Sequence, residues 1–176
     1  MTVTSDRPSI IAAKSGLAFY HCSTAEIDVG IDTSRAYSLM TQDPPWPLRM
    51  AFSVRDRISA LFGVSKIHGF VGNIPSTDPA VGEKLHFFLV EYCSPSKLVL
   101  TSRDVHLSVM VCIEIIDNYA GCKTKRLCVT TSVQTHNLFG KIYMMPVGPA
   151  HKVILWRLLR RVATFRNDAP NFRRES

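Results

Sequence analysis

"YMMPVGPAHKVILWRLLRR" (143–161) is the stretch whose reading decides the fold. Its right half continues a stripe at positions 147, 151, 154, 155, 158 and 162, the spacing of one helix face. Its left half sets Pro146, Gly148 and Pro149 where that helix would begin or continue. Proline removes a backbone donor and clashes with the preceding turn, costing about 3 kcal/mol in a helix interior. A start signal lies upstream in "THN" (135–137), where Asn137 is a good N-cap. Gly140 then lets the chain pass close to a sheet. These signals together predict a helix in two segments. The first runs over 138–146, and a kink follows at 146–149, where freed carbonyls need another partner. Pro149 opens the second segment, where its missing amide costs little, and His151 sits on the first turn.

The sequence before this helix alternates. "VHLSVMVCIEII" (105–116) puts Val105, Leu107, Val109, Val111, Ile113 and Ile115 on one face, with His106, Ser108, Met110, Cys112 and Glu114 on the other. "DNYAGCK" (117–123) reads as a turn. "RLCVTTSVQTH" (126–136) returns with Leu127, Val129, Thr131, Val133 and Thr135 on one face. A hairpin centred near Ala120 sets Val111 opposite Val129 and Cys112 opposite Cys128. It also sets Asp104 opposite His136. "LHFFLVEYC" (85–93) and "KLVLTS" (97–102) read as two further strands joined at "SPS". In the first of these, Phe87 and Phe88 would point to opposite faces.

Nearer the N-terminus, "LAFYHC" (17–22) reads as a strand. "DTSRAYSLM" (32–40) reads as a short helix capped by Asp32 or Thr33. "QDPPWP" (42–47) stops it, and "LRMAFSVRDRISALFG" (48–63) gives a second, amphipathic helix. Residues 64–84 read mostly as loop, with a brief strand at 67–71. Residues 1–16 read as a flexible leader, 17–165 as one domain and 166–176 as a flexible basic tail.

An antiparallel sheet needs one face covered, and a long terminal helix with an apolar stripe is the natural cover. The predicted fold is therefore α+β. A curved antiparallel sheet of six or seven strands wraps round a long, kinked C-terminal helix, with two short helices after the first strand.

Composition excludes several classes. The chain has 176 residues, 46% of them hydrophobic and 20% charged, which is ordinary for a globular protein. No uncharged apolar run is long enough for a membrane span. The net charge is +7, with seven Lys/Arg against two Asp/Glu over 152–176. That run lacks the interleaved aromatics of a single-strand stacking platform, so no specific nucleic-acid binding is expected. The five cysteines (22, 93, 112, 122, 128) form no CxxC and no Cys/His zinc spacing. "MTVTSDRPSIIAAKSG" gives no convincing export signal, so a cytoplasmic location with free thiols is expected. No phosphate loop, dinucleotide fingerprint or "GxSxG" elbow is present, and no cofactor, metal or catalytic residue is assigned.

Three stretches carry a resemblance: "PPWPLRMAFSVRDRISALFGV" (44–64), "SRDVHLSVMVCI" (102–113) and "TTSVQTHNLFGKIYMMPVGPAHKVILWRLLRRV" (130–162). Within them Asp104, His106, Leu107, Thr135, His136, Asn137, Gly140, Tyr143, Met144, Pro149 and His151 match a pattern. The chain resembles an uncharacterised bacterial family, a domain of unknown function, within the START-like (SRPBCC, birch-pollen-allergen-like) superfamily. The resemblance implies the helix-grip fold and, by analogy with lipid and polyketide carriers, a cavity between sheet and helix.

Leu107, Val109, Val111, Thr131, Val133, Tyr143, Val147 and His151 are the expected lining of that cavity. A filled core is the structural alternative. Asp104 and His136 form a candidate polar pair, read as structural partners in preference to an oriented general base. Binding of a small hydrophobic or amphipathic molecule is the first functional expectation. A cyclase, dehydratase or hydrolase drawing on His106, His136 or Tyr143 is the alternative. An interaction domain using the basic helix or a sheet edge, homodimer included, is the second alternative.

Overall fold

The structure is a computed structural model that describes residues 9–42, 79–118 and 122–165. The helix expected over 48–63, the brief strand at 67–71, the turn centre at Ala120 and the tail beyond 165 lie outside the described residues.

Strand β1 (Phe19–Asp28) is followed by helix α1 (Thr33–Thr41). Four strands come next: β2 (Lys84–Leu85), β3 (Phe88–Ser94), β4 (Lys97–Arg103) and β5 (Leu107–Asp117). Strand β6 (Thr124–Thr135) leads directly into helix α2 (Leu138–Thr164). The strands form one antiparallel sheet in the order β1-β6-β5-β4-β3-β2. The first strand thus crosses to pair with the last.

Local sequence explains most boundaries. The Asp32 carboxylate accepts from Arg35 N at 2.7 Å and caps α1. Strand β1 runs six residues past Cys22 because Phe19, His21, Ser23, Ala25 and Ile27 continue one face, ending at the buried Ile27. The single strand expected over 85–93 is interrupted. His86 and Phe87 form a tight turn, with His86 at φ 59, so Leu85 pairs with Phe88 across it. The two phenyl rings therefore do not take opposite faces; they pack together with centroids 4.2 Å apart.

The β5–β6 hairpin has a different register from the symmetric one. Val109 stands opposite Val133, Val111 opposite Thr131, and Cys112 opposite Thr130. The slip is two residues, so each side chain keeps its face. Cys128 is opposite Glu114, and its sulfur lies 3.2 Å from that of Cys22 on β1. His136 N bonds to His106 O at 2.8 Å, so His136 closes the hairpin against His106, not Asp104.

The expected interruption of the last helix is also corrected: α2 is continuous through Pro146 and Pro149. Both prolines are exposed. The carbonyls they leave without a helical donor belong to Ile142 and Met145, which are 58% and 74% exposed, so water can satisfy them. Asn137 caps the helix as the sequence predicts, its Oδ1 accepting from Gly140 N at 3.0 Å.

The core is concentrated at one end of the inner face. Ile27, Leu98, Leu100, Ile113 and Leu127 are at most 1% exposed there, packed under α1 and the last turns of α2 around Leu159 and Val162. On the opposite face of the sheet, residues 9–16 lie across β6 and β5. Ile11 N donates to Ser132 Oγ at 3.0 Å, and Ser132 and Cys112 are fully buried.

Candidate functional site

Where the packed end of the inner face stops, a cavity of about 260 Å³ opens between the sheet, α1 and α2 from Tyr143 to Leu158. The alternation of β5 and β6 sends Leu107, Val109, Val111, Thr131 and Val133 into it. The helical period sends Tyr143, Val147 and His151 down from α2. The residues expected from the sequence thus share one wall. Leu107, Val109, Val111, Tyr143 and Val147 are each only half-buried, so solvent reaches the space. None of its described lining residues is Lys, Arg, Asp or Glu.

Two polar positions interrupt the apolar wall. The first lies where β1, β6 and α2 meet. Thr131 is 4% exposed, and its Oγ1 has no hydrogen-bond partner among the described residues. His21 stands opposite Thr131 in the β1–β6 register. Its ring meets that of His151 edge-on, with centroids 6.0 Å apart, and Phe19 meets His151 at 5.5 Å. The Nδ1 of His21 and the Nε2 of His151 are also shut from solvent without a partner among the described residues. Burial, reinforced by the neighbouring His21, pushes the His151 pKa down to about 4. Burial and Lys152 lower that of His21. Both rings are therefore neutral near pH 7.

The second polar position is at the core end. The Tyr37 hydroxyl, on the cavity wall, lies 2.9 Å from His86 Nδ1. Burial raises the Tyr37 pKa and lowers that of His86. The positive φ of His86 is unusual for a residue with a side chain. It aims the imidazole back at Tyr37.

Asp104 and His136 are not among the lining residues. Asp104 Oδ1 accepts from His106 N at 2.8 Å and Leu107 N at 2.9 Å, shaping the β4–β5 turn. His136 Nε2 lies 2.8 Å from Ser108 Oγ. His106 is stacked on Phe139 with centroids 4.5 Å apart, and its Nδ1 lies 2.9 Å from Asn137 Nδ2. These groups build the junction at which β6 becomes α2.

Sequence reasoning missed Phe19, His21, Tyr37 and His86. A signal existed for the first two: they share a strand face with Ala25 and Ile27, but reading the strand only to Cys22 hides that alternation. Among the described residues, no group of three or more His, Cys, Asp or Glu is placed to hold a metal ion. No helix among them is long and apolar enough to cross a membrane.

This is an α+β protein whose antiparallel sheet is covered by a long C-terminal helix, an arrangement compatible with the helix-grip fold. The chain belongs to the family described as "Protein of unknown function (DUF2867)", which matches residues 14–158. No curated protein matches its sequence.

Proposed function

We propose that this protein is a START-like binding protein that holds a small hydrophobic or amphipathic molecule between the sheet and α2. The cavity of about 260 Å³ with an apolar, uncharged wall carries this reading. Ligand pockets are mostly apolar with a few placed polar groups, which is the composition of this wall. A catalytic role would draw on His151 and Tyr143. A ring whose pKa is pushed to about 4 is a weak general base at neutral pH, which favours binding over chemistry. Native mass spectrometry of the chain purified from its own host tests the proposal. The expected result is a retained small molecule that is lost on denaturation. Repeated absence of any adduct, together with no uptake of apolar probes, would overturn it.

A second reading has its own observation. Leu138, Ile142, Met145, Val153 and Trp156 are 71%, 58%, 74%, 54% and 52% exposed. They fall in one stripe on the side of α2 opposite the cavity. Lys141, Lys152, Arg157 and Arg160, all exposed, lie along the same helix. A second copy would bring like charges together, so the stripe suits an acidic partner better than a homodimer. Light scattering at low salt is expected to show a monomer; a dimer would reverse that choice.

A further inference from the structure

The Tyr37 hydroxyl at the core end of the cavity has its partner in His86, whereas at the corner where β1, β6 and α2 meet three polar atoms are orphaned. Thr131 Oγ1, His151 Nε2 and His21 Nδ1 are each inaccessible to solvent and unpaired among the described residues. A buried polar group without a partner is costly, and such groups are rare unless something satisfies them. Thr131 and His151 both stand on the cavity wall. His21 links them, opposite Thr131 in the sheet and edge-on to the His151 ring.

Their chemistry restricts what can complete them. A threonine hydroxyl both donates and accepts, and a neutral imidazole offers one donor and one acceptor. A ligand hydroxyl also does both, so it fits either imidazole tautomer. A carboxylate only accepts and an ammonium only donates. Either would bring an unpaired charge into a cavity whose described lining residues carry none, which is strongly unfavourable. Burial keeps His151, the one basic side chain among the described lining residues, uncharged at neutral pH, so it does not compensate an anion.

Volume sets the size. A cavity of about 150 Å³ holds benzene, with six carbons, so by the same packing about 260 Å³ holds roughly ten non-hydrogen atoms. We infer that the cavity takes an uncharged, hydroxyl-bearing apolar molecule of about that size. A bicyclic phenol or a medium-chain alcohol qualifies, with its hydroxyl meeting Thr131 Oγ1 and His151 Nε2 after a small turn of each side chain toward the cavity. The apolar body then lies along Val109, Val111, Val133 and Val147. This inference rests on the reading of the cavity as a binding site.

The test is calorimetric titration of the full chain at pH 7 with 2-naphthol, naphthalene and 2-naphthoate. The expected order is 2-naphthol at least about tenfold tighter than naphthalene, the effect of one to two hydrogen bonds. The carboxylate binds at least about tenfold weaker than 2-naphthol. In the pair Thr131→Val and His151→Phe, 2-naphthol falls to the level of naphthalene while naphthalene still binds, which shows that the variants are folded. Equal affinity of 2-naphthol and naphthalene for the unsubstituted chain would overturn the inference and leave the binding reading intact. So would tightest binding by 2-naphthoate. Failure of all three probes would overturn the binding reading itself, and the inference with it.

Discussion

Gly140→Ala is expected to destabilise the chain by about 2–4 kcal/mol, well beyond an ordinary surface change. A methyl group at this position would run into the carbonyl oxygen of His106 and reach Thr135 Cβ at 3.3 Å. The first obstacle is backbone, and that carbonyl also accepts from His136 N at 2.8 Å as the last rung of the β5–β6 hairpin. Neither partner can turn aside as a flexible side chain would. The first turn of α2 must lift off the sheet, or the hairpin must open. Alanine's better helix propensity, about 1 kcal/mol over glycine, offsets only part of this. Gly148→Ala is the control. Its methyl would meet the Phe19 ring at 3.2 Å, and that ring borders open cavity and can shift. Urea unfolding of both variants checks the comparison. Equal losses, or a stable Gly140→Ala, would show that the close approach is dispensable.

Acid is expected to destabilise the chain through His151. Its pKa is about 4 in the folded chain against an ordinary value of 6.5. Between these values the unfolded chain binds a proton that the folded chain does not. Stability is therefore complete above about pH 6.5, falls as pH drops towards 4, and levels off below that. The full window corresponds to about 3 kcal/mol. His21 and His86, whose pKa values burial also lowers, act in the same direction. Denaturation midpoints at pH 7.0 and 4.5 should differ less in His151→Phe than in the unsubstituted chain. Identical pH dependence in the two proteins would refute the assignment.

The cavity wall was legible in the sequence to a degree that the register was not. Hairpin symmetry misplaced the β5–β6 pairing by two residues, yet Val109, Val111, Thr131 and Val133 kept their face. A side-chain period of two is blind to an even slip. The same period, with the helical one, placed Tyr143, Val147 and His151 over the sheet. Asn137 marked its own position because capping is a local interaction. The rest depended on tertiary contacts. Nothing in "LHFFLVEYC" signals a positive φ at His86, since no glycine or asparagine stands there; the partner that rewards it, Tyr37, is 49 residues away. Continuity of α2 through two prolines was likewise invisible. Local rules count the lost donors, but not that the orphaned carbonyls belong to exposed residues. His21 was lost through a strand boundary, the least local feature of a polar edge strand.

The positions of Pro146 and Pro149 bear on how the proposed occupant would exchange. α2 is two rungs short in its backbone ladder, and both gaps fall in the part that roofs the cavity. The last turns, which cover the core around Leu159 and Val162, keep their ladder and their packing. Opening the roof therefore breaks fewer backbone bonds and exposes less packed apolar surface than opening the core end. Free energies of local opening follow those two quantities. The cheapest excursion expected of this helix is thus the one that uncovers the cavity, and the proposed ligand would not have to wait for the fold to melt.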